Sequence, residues 1–323
     1  MAASVPVLTW GAAAQPQPVR RPAVVNGRRY RHYDVFTDTP LAGNQLAVFV
    51  ETAGLSAAEM QAMTRETKFS ECTFVQPAEA AGTDVRLRIF GPANEMQFAG
   101  HPVIGSAFAL ADEGVIVAGR KEFTFGLGIG PTLVELEWQG PRLQFAWMTQ
   151  QKPVYGPTLN APAALAAALG LDASALRAGV LPQEVNCGSA FFMVPLASRA
   201  AVDQAVVDPR AVAAVFEAAK ITRRGLFIFS TEPGADGATA YSRMMGANED
   251  PATGSASGPL GCYLVKHGLV PPDKAGAIVS SQGVKMGRPS RIYIKLDLNG
   301  TEVTRVRVGG TSVLVGEGWL RSS

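Results

Sequence analysis

The chain has 323 residues, of which 47% are hydrophobic and 17% are charged, and its formal net charge is +2. This length exceeds one ordinary hydrophobic core, and the composition excludes an intrinsically disordered protein. The nearly balanced charge argues against nucleic-acid or membrane-surface partners, and no apolar run reaches the ~18 residues that a membrane-spanning helix needs. Three scattered cysteines predict no disulfide framework and a reducing, cytoplasmic location.

Residues 1–27 are interpreted as an N-terminal extension. They are rich in Ala, Pro and Gln, show no helix or strand period, and lack the basic and apolar regions of a signal peptide. The first regular element follows later, where Ser56 and Glu59 predict a capping box at the start of a short helix. The stretches CTFVQ and TDVRLRIFG then read as two strands, and a glycine-containing loop leads into an apolar helix.

The passage that contains this loop and helix occurs twice. ANEMQFAGHPVIGSAFALADEG at 93–114 and ANEDPATGSASGPLGCYLVKHG at 247–268 align without a gap, at a constant offset of 154 positions. Before the second copy, PRAVAAVFEAAK reads as a helix and GLFIFST and ATAYSRMMG read as strands. Both halves therefore run helix, strand, strand, loop, helix, which predicts a duplicated α+β unit.

Each copy places a glycine, Gly100 or Gly254, at the start of its helix. Thr253 and Ser255 are predicted N-cap candidates in the second copy. The free N–H groups and the positive dipole end of a helix start bind anions, and glycine lets a ligand approach the backbone closely. Two such helix starts facing one cleft would hold a small carboxylate substrate from both sides.

The two halves differ at the positions that could carry chemistry. Glu71 lies at the predicted helix-to-strand corner of the first half, whereas its equivalent in the second half is Gly225. His101 follows the first helix-start glycine, and Asp250 precedes the second by four positions. Two carboxylates and an imidazole around a dry cleft form a proton-transfer set, because crowding raises the pKa of one carboxyl and the imidazole can relay protons. No histidine or cysteine spacing indicates a metal site.

The motifs FSECTFV, FAGHPVIG, EDPATGSA and QGVKMGRPSRI resemble the phenazine-biosynthesis isomerase family, which has the diaminopimelate epimerase fold. The similarity extends from about residue 30 to the end of the chain. It implies an α+β protein of two pseudo-repeated domains, each a curved sheet around a central helix. The first domain is expected at 28–147, with a returning C-terminal strand at 309–323, and the second at 148–308. A homodimer is also expected from the family.

The same resemblance implies an isomerase that uses no cofactor or metal. It would transfer a proton and shift a double bond on a small carboxylate-bearing, possibly cyclic, amino-acid-like metabolite. Glu71 is then the base and the acid, and His101 and Asp250 assist it. The residues predicted to bind the substrate are Asn44, Ser70, Gly100, Gly254 and Ser255.

Three alternatives are open at this point. One is a racemase or epimerase that uses carboxylates. Related enzymes of this fold use two thiols at the helix starts, where this sequence has Ala99-Gly100 and Ala252-Thr253. Another is a metabolite-binding protein without catalysis. The most distant is a hydrolase with Cys72 as nucleophile, although on a strand its side chain should face away from that of Glu71.

Overall fold

A computed structural model describes residues 27–246 and 248–321 of the chain. Most of the predicted N-terminal extension, Ala247 of the repeated passage and the last two residues of the predicted C-terminal strand lie outside this range. The helices are α1 (Ala57–Thr67), α2 (Gly100–Asp112), α3 (Pro162–Ala168), α4 (Arg199–Gln204), α5 (Pro209–Ala218) and α6 (Gly254–Lys266), with 3₁₀ turns at Ala173–Ala175, Pro272–Lys274 and Val284–Met286. Of these helices, none has the length and apolar character needed to cross a bilayer.

The strands supply most of the regular structure. They are β1 (Arg28–Val35), β2 (Asn44–Phe49), β3 (Glu71–Pro77), β4 (Val85–Phe90), β5 (Glu95–Met96), β6 (Glu122–Leu127), β7 (Gly130–Gln139), β8 (Arg142–Gln150), β9 (Val154–Thr158), β10 (Gln183–Asn186), β11 (Ala190–Pro195), β12 (Gly225–Ser230), β13 (Ala240–Met245), β14 (Ile278–Gln282), β15 (Ser290–Asn299), β16 (Glu302–Gly310) and β17 (Ser312–Leu320). All of them belong to one large curved sheet, so the predicted α+β fold class is confirmed.

The strand pairing repeats between the two halves. In the first half β2 pairs parallel with β3, β3 antiparallel with β4, β4 parallel with β6, and β6, β7 and β8 follow antiparallel. In the second half β11 to β16 repeat this pattern of parallel and antiparallel neighbours, except that no counterpart of β5 interrupts it. The chain therefore folds the same supersecondary unit twice, as the repeated passage predicts.

Two connections join the halves into one sheet. β8, the last strand of the first unit, pairs antiparallel with β16, the last strand of the second. The chain then returns, because β17 pairs antiparallel with β1 along its whole length. The division into domains at 147 and 148 stays a prediction.

Each unit wraps its sheet around one central helix. α2 and α6 both have 13 residues, and they begin at Gly100 and Gly254, which are 154 positions apart. Both are apolar or small on nearly every face, a pattern typical of a helix enclosed by a core. The first core packs Val103, Ile104 and Leu110 against strand side chains, and the second packs Leu260 and Leu264 in the same way.

The remaining helices cover the outer faces of the sheet. α1 packs Met60 and Met63 on an aromatic cluster of β2, β3 and β4, while α3, α4 and α5 cover the second unit. Ser56, Ser198 and Asp208 cap α1, α4 and α5 with side-chain hydrogen bonds, and the predicted capping box at Ser56 is confirmed. The two central helices have no side-chain cap, which leaves their first N–H groups available.

Candidate active site

The starts of the two central helices touch each other. A Cβ atom added to Gly100 would lie 2.4 Å from the backbone nitrogen of Ser255 and 2.5 Å from the carbonyl carbon of Gly254. Real Cβ atoms do not approach backbone this closely, so a glycine is required at position 100. The predicted helix-start residues Gly100, Gly254 and Ser255 therefore share one junction between the halves.

Of the two predicted N-cap candidates of α6, Thr253 is the N-cap residue and Ser255 is not. The Thr253 hydroxyl makes no capping bond, and it donates its proton to Asp250 Oδ2 at 2.5 Å. A capping hydroxyl would accept from a helix N–H, and here the Thr253 oxygen accepts from Gln282 Nε2 at 2.9 Å. Ser255 is the second residue of the helix itself.

Glu71 and His101 face each other beside this junction. Glu71 is the first residue of β3, and its equivalent Gly225 is the first residue of β12, so the predicted asymmetry between the halves is present. Glu71 Oε2 lies 3.4 Å from His101 Nε2, and neither atom has a hydrogen-bond partner among the described residues. The Glu71 side chain keeps 18% of its exposure, whereas that of His101 keeps 4%.

Asn44 connects His101 to Asp250. Its Nδ2 donates to Asp250 Oδ1 at 2.6 Å and to the Ala252 carbonyl oxygen at 3.0 Å. The same nitrogen lies 3.1 Å from His101 Nδ1, and Asn44 Oδ1 accepts from the Ser70 hydroxyl at 3.2 Å. A carboxamide has only two N–H groups, so these three neighbours share them. Asn44 is 1% exposed and acts as the centre of the polar cluster.

The turn that carries Asp250 is held by Gln282, which sequence reasoning did not single out. Gln282 Nε2 donates to the Asp250 carbonyl oxygen at 2.7 Å and to the Thr253 hydroxyl at 2.9 Å, and its Oε1 accepts from the Thr253 N–H at 3.0 Å. Ser290 Oγ donates to the Pro251 carbonyl oxygen at 2.8 Å. A signal was available, since Gln282 opens the motif QGVKMGRPSRI and ends a strand just before a glycine.

Burial sets the protonation of the three titratable groups. It raises the pKa of Glu71, against a hydrogen bond from Ser70 that lowers it. It also raises the pKa of Asp250, as does the charge of Glu71, while His101 and two hydrogen bonds oppose the rise. Burial lowers the pKa of His101 to about 4, so its imidazole is neutral near pH 7. Two carboxyls with raised pKa values beside a neutral imidazole can hold and move a proton.

The cysteines lie away from this site. Cys72 follows Glu71 but is buried in the aromatic cluster on the other face of β3, and burial raises its pKa to about 11. Cys187 and Cys262 are buried in the core of the second unit, with their sulfur atoms 3.9 Å apart. Within 27–246 and 248–321, no group of three or more His, Cys, Asp or Glu residues has an arrangement that could hold a metal ion.

All eight predicted site residues meet in this region. Ser70, Asn44, His101 and Asp250 form one connected polar chain that Glu71 extends, and the helix junction of Gly100, Gly254 and Ser255 adjoins it through Ala252 and Thr253. They come from both halves and are up to 211 positions apart, between Asn44 and Ser255. Their catalytic and binding roles stay predictions.

The sequence matches a known protein family over most of its length. The family model described as phenazine biosynthesis-like protein matches residues 33–318. Trans-2,3-dihydro-3-hydroxyanthranilate isomerase of Pseudomonas aeruginosa is 36% identical over 291 residues, covering 90% of this chain and 98% of the relative. The chain belongs to the phenazine biosynthesis-like protein family, and isomerase is its class of enzyme.

Solved structures agree with this assignment. A predicted epimerase from Pseudomonas aeruginosa, 31% identical, superposes with a TM-score of 0.76 over 92% of this chain and 100% of the other. A phenazine biosynthesis protein of the same family from Bacillus anthracis gives a TM-score of 0.79 at 22% identity, over 92% of this chain and 99% of the other, which shows the shared fold. The epimerase-like fold predicted from the sequence motifs is confirmed.

Proposed function

We infer that the chain is a cofactor-independent isomerase that transfers a proton within a small carboxylate-bearing metabolite. The substrate class is a cyclic or conjugated acid in which loss of a proton from one carbon and gain of a proton at another atom shifts a double bond. The atoms of substrate and product balance, because the proton that leaves is replaced. The family establishes only that the chain is an isomerase. The proposal adds the class of substrate and a role for each residue of the site.

The pair of unpartnered atoms between Glu71 and His101 carries the proposal. A buried polar atom without a partner costs about 1–3 kcal/mol unless a ligand or water satisfies it. Glu71 Oε2 and His101 Nε2 are two such atoms, and they face each other at 3.4 Å. Groups that the fold leaves unsatisfied in this way are prepared for a bound molecule, and here one is a carboxyl and the other an imidazole.

The helix junction supplies the complementary charge. α2 and α6 begin side by side without side-chain caps, so both positive dipole ends adjoin the Glu71–His101 pair. A substrate carboxylate accepting N–H groups at Gly254 and Ser255 would be fixed by the backbone and not by a lysine or arginine. Its reacting carbon would then lie beside Glu71.

Each titratable group has one role in this reaction. Glu71, which keeps some exposure, takes the proton from carbon and later returns it. His101 is neutral and its Nε2 faces Glu71, which suits it to pass a proton or to stabilise charge that develops on the substrate. Asp250 remains buried behind Asn44 and tunes the pair through its charge.

An epimerase without thiols is the second candidate, since one solved relative is named as a predicted epimerase. The described cysteines lie away from the helix starts, so inversion at carbon would also have to use Glu71 and His101. The two candidates differ in product: an epimerase inverts one stereocentre without moving a double bond. A homodimeric assembly and a cytoplasmic location stay predictions.

Incubation in D₂O tests the proposal. Trans-2,3-dihydro-3-hydroxyanthranilate and a panel of small amino and hydroxy acids are followed by ¹H NMR with the wild type, Glu71→Gln and the control Glu135→Gln. Glu135 is a partly buried carboxylate on β7 that pairs with Arg305 and Arg307 and lies outside the site. We expect deuterium uptake with a double-bond shift in the wild type and control, and a loss of at least ~10³-fold in Glu71→Gln.

Other outcomes are equally informative. Uptake that survives in Glu71→Gln removes Glu71 as the base. Uptake with inversion and no bond shift favours the epimerase. Binding of a panel acid without uptake, at equal affinity in the wild type and Glu71→Gln, favours a metabolite-binding protein over a catalyst.

A further inference from the structure

The Gln282 side chain is committed entirely to the turn at 250–253. It is fully buried, and its carboxamide makes all three of its hydrogen bonds to Asp250 and Thr253. Both N–H groups of Gln282 are used, one on the Asp250 carbonyl oxygen and one on the Thr253 hydroxyl. The reverse orientation of the amide would set oxygen against oxygen and N–H against N–H, so these bonds allow one orientation only.

This orientation determines what the Thr253 hydroxyl can do. A hydroxyl has one proton to donate, and the oxygen of Thr253 already accepts from Gln282 Nε2 at 2.9 Å. Its proton is therefore directed to Asp250 Oδ2, 2.5 Å away. Asp250 Oδ1 accepts from Asn44 Nδ2 at 2.6 Å, so each carboxylate oxygen has its own donor.

We propose that Gln282 is a positioning residue. It orients the Thr253 hydroxyl so that this hydroxyl donates a hydrogen bond to Asp250, and this hydrogen bond favours the carboxylate form of Asp250. Asp250 then serves as a fixed buried charge, and the proton taken from the substrate is held by Glu71 and not by Asp250. Without Gln282, the Thr253 hydroxyl could turn to a backbone acceptor, and Asp250 would compete with Glu71 for that proton.

Asp250 needs these hydrogen bonds because its surroundings disfavour the carboxylate form. The titratable groups that face Asp250 are Glu71 on β3, whose charge disfavours a second carboxylate, and His101 on α2, which is neutral at pH 7. Burial also disfavours the charged form, and the hydrogen bonds donated by Asn44 and Thr253 oppose it by favouring the carboxylate. The consequence for catalysis rests on the proposed function, whereas the hydrogen-bond relay does not.

The relay is tested first without catalysis, by ¹³C NMR titration of protein labelled at the aspartate side-chain carboxyl. Asp250 is assigned from the signal that Asp250→Asn lacks. We expect the pKa of Asp250 to rise by about one unit in Gln282→Met, a tenfold change in its ionisation constant, because one charge-assisted hydrogen bond is lost. Thr253→Val should give the same rise, and Gln282→Met combined with Thr253→Val should give no more than Thr253→Val alone.

Gln183→Met is the matched control. Gln183 is a buried glutamine of the second unit, 6% exposed, whose side chain bonds to Gly156 and His267 outside the site. Its loss should destabilise the fold without moving the Asp250 titration. Thr253→Ser keeps the hydroxyl and should show the wild-type titration of Asp250. If Gln282→Met does not fold, Thr253→Val still tests whether the Thr253 hydroxyl lowers the pKa of Asp250.

The activity measurement is a pH profile of turnover of trans-2,3-dihydro-3-hydroxyanthranilate. Gln282→Met and Thr253→Val should shift the limbs of the profile, and Gln183→Met and Thr253→Ser should leave them in place. An Asp250 titration that is the same in Gln282→Met and the wild type overturns the inference. The inference is also overturned if Gln282→Met raises the pKa of Asp250 by the same amount in the wild type and in Thr253→Val. If the wild type turns over no tested acid, the proposed function fails, and the NMR titration still decides the relay.

Discussion

At the scale of single residues, burial works against the ionised form of every group in the site. It raises the pKa of Glu71 and Asp250 and lowers that of His101. The fold therefore keeps the imidazole of His101 neutral near pH 7 and makes both carboxyls weaker acids than they are in water. As the pH falls, His101 lowers the stability of the fold and the two carboxyls raise it, so their contributions can be separated by the pH dependence of unfolding.

His101 should make the fold sensitive to acid. Its pKa is about 4 in the folded chain against about 6.5 in an unfolded one, so the unfolded state binds more protons between these values and stability rises with pH across this window. The wild type should lose up to about 3 kcal/mol from His101 alone as the pH falls from 6.5 to 4. Urea unfolding of the wild type and His101→Gln at several pH values measures the difference.

The carboxyls oppose this slope, so the comparison with His101→Gln is essential. Glu71 and Asp250 bind protons more tightly in the folded state, and they favour folding as the pH falls. His267→Gln is the control, because burial also lowers the pKa of His267, but His267 lies outside the site. Equal pH slopes for the wild type and His101→Gln would show that His101 is not held neutral by the fold.

At the scale of elements, the junction of α2 and α6 depends on the absence of a side chain at Gly100. In Gly100→Ala the new Cβ would meet the backbone of Gly254 and Ser255 at about 2.5 Å, and backbone cannot rotate away as a side chain can. We expect the free energy of unfolding to fall by about 1–3 kcal/mol, because the two helix starts must separate. We expect kcat/KM to fall by a factor that corresponds to a larger free energy than this, because the separated helix starts misplace the substrate. Thermal unfolding and turnover of the same preparations measure both.

Gly276→Ala is the matched substitution. A Cβ at Gly276 has no atom within 4 Å among the described residues, and its backbone does not require glycine. This variant should keep wild-type turnover and change stability by less than about 0.5 kcal/mol. Gly100→Ala with full activity would mean that the contact between the helix starts is not needed for the reaction.

The sequence predicted these elements better than it predicted their contacts. The offset of 154 positions gave both central helix starts, and local patterns gave α1, α5 and four of the strands around them, because periodicity and caps are local properties. Thr253 was correctly placed at the N-cap, but its hydroxyl does not cap the helix, because its oxygen accepts from Gln282 and its proton bonds Asp250. Gln282 was missed because its partners are about 30 positions away, and Asn44 was found only through family resemblance. Such buried polar contacts leave no period in the sequence.

At the scale of the whole molecule, the two units are held together beside the site by Arg288. This residue follows β14 in the second unit, and its guanidinium reaches the first. It donates to Asp34 Oδ1 at 2.6 Å and to the carbonyl oxygens of Ala42 and Gly43 at 2.7 and 2.8 Å. Since Asn44 follows Gly43 directly, the same contact that joins the units also fixes the centre of the polar cluster.

Arg288→Met should therefore weaken both stability and activity. Asp34 is 1% exposed, and removal of its guanidinium partner leaves a buried carboxylate that keeps the Leu41 N–H but has lost its paired charge, which costs about 3 kcal/mol. The Asn44 turn would also lose two hydrogen bonds to the second unit. Urea unfolding gives the change in free energy, and turnover on the substrate found for the wild type gives the change in kcat.

The origin of this cost can be separated by a second substitution. If the unpaired charge dominates, Asp34→Asn combined with Arg288→Met should recover about half of the lost stability, because the amide is neutral and can still accept from the Leu41 N–H that bonds Asp34. Turnover should stay low in the double variant, since the carbonyl oxygens before Asn44 remain unpaired. Arg224→Met, which removes a guanidinium that is 40% exposed and paired with Glu184, should cost less than about 1 kcal/mol. If Arg288→Met also lowers the free energy of unfolding by less than about 1 kcal/mol, the strand pairings of β8, β16 and β17 are sufficient to join the units.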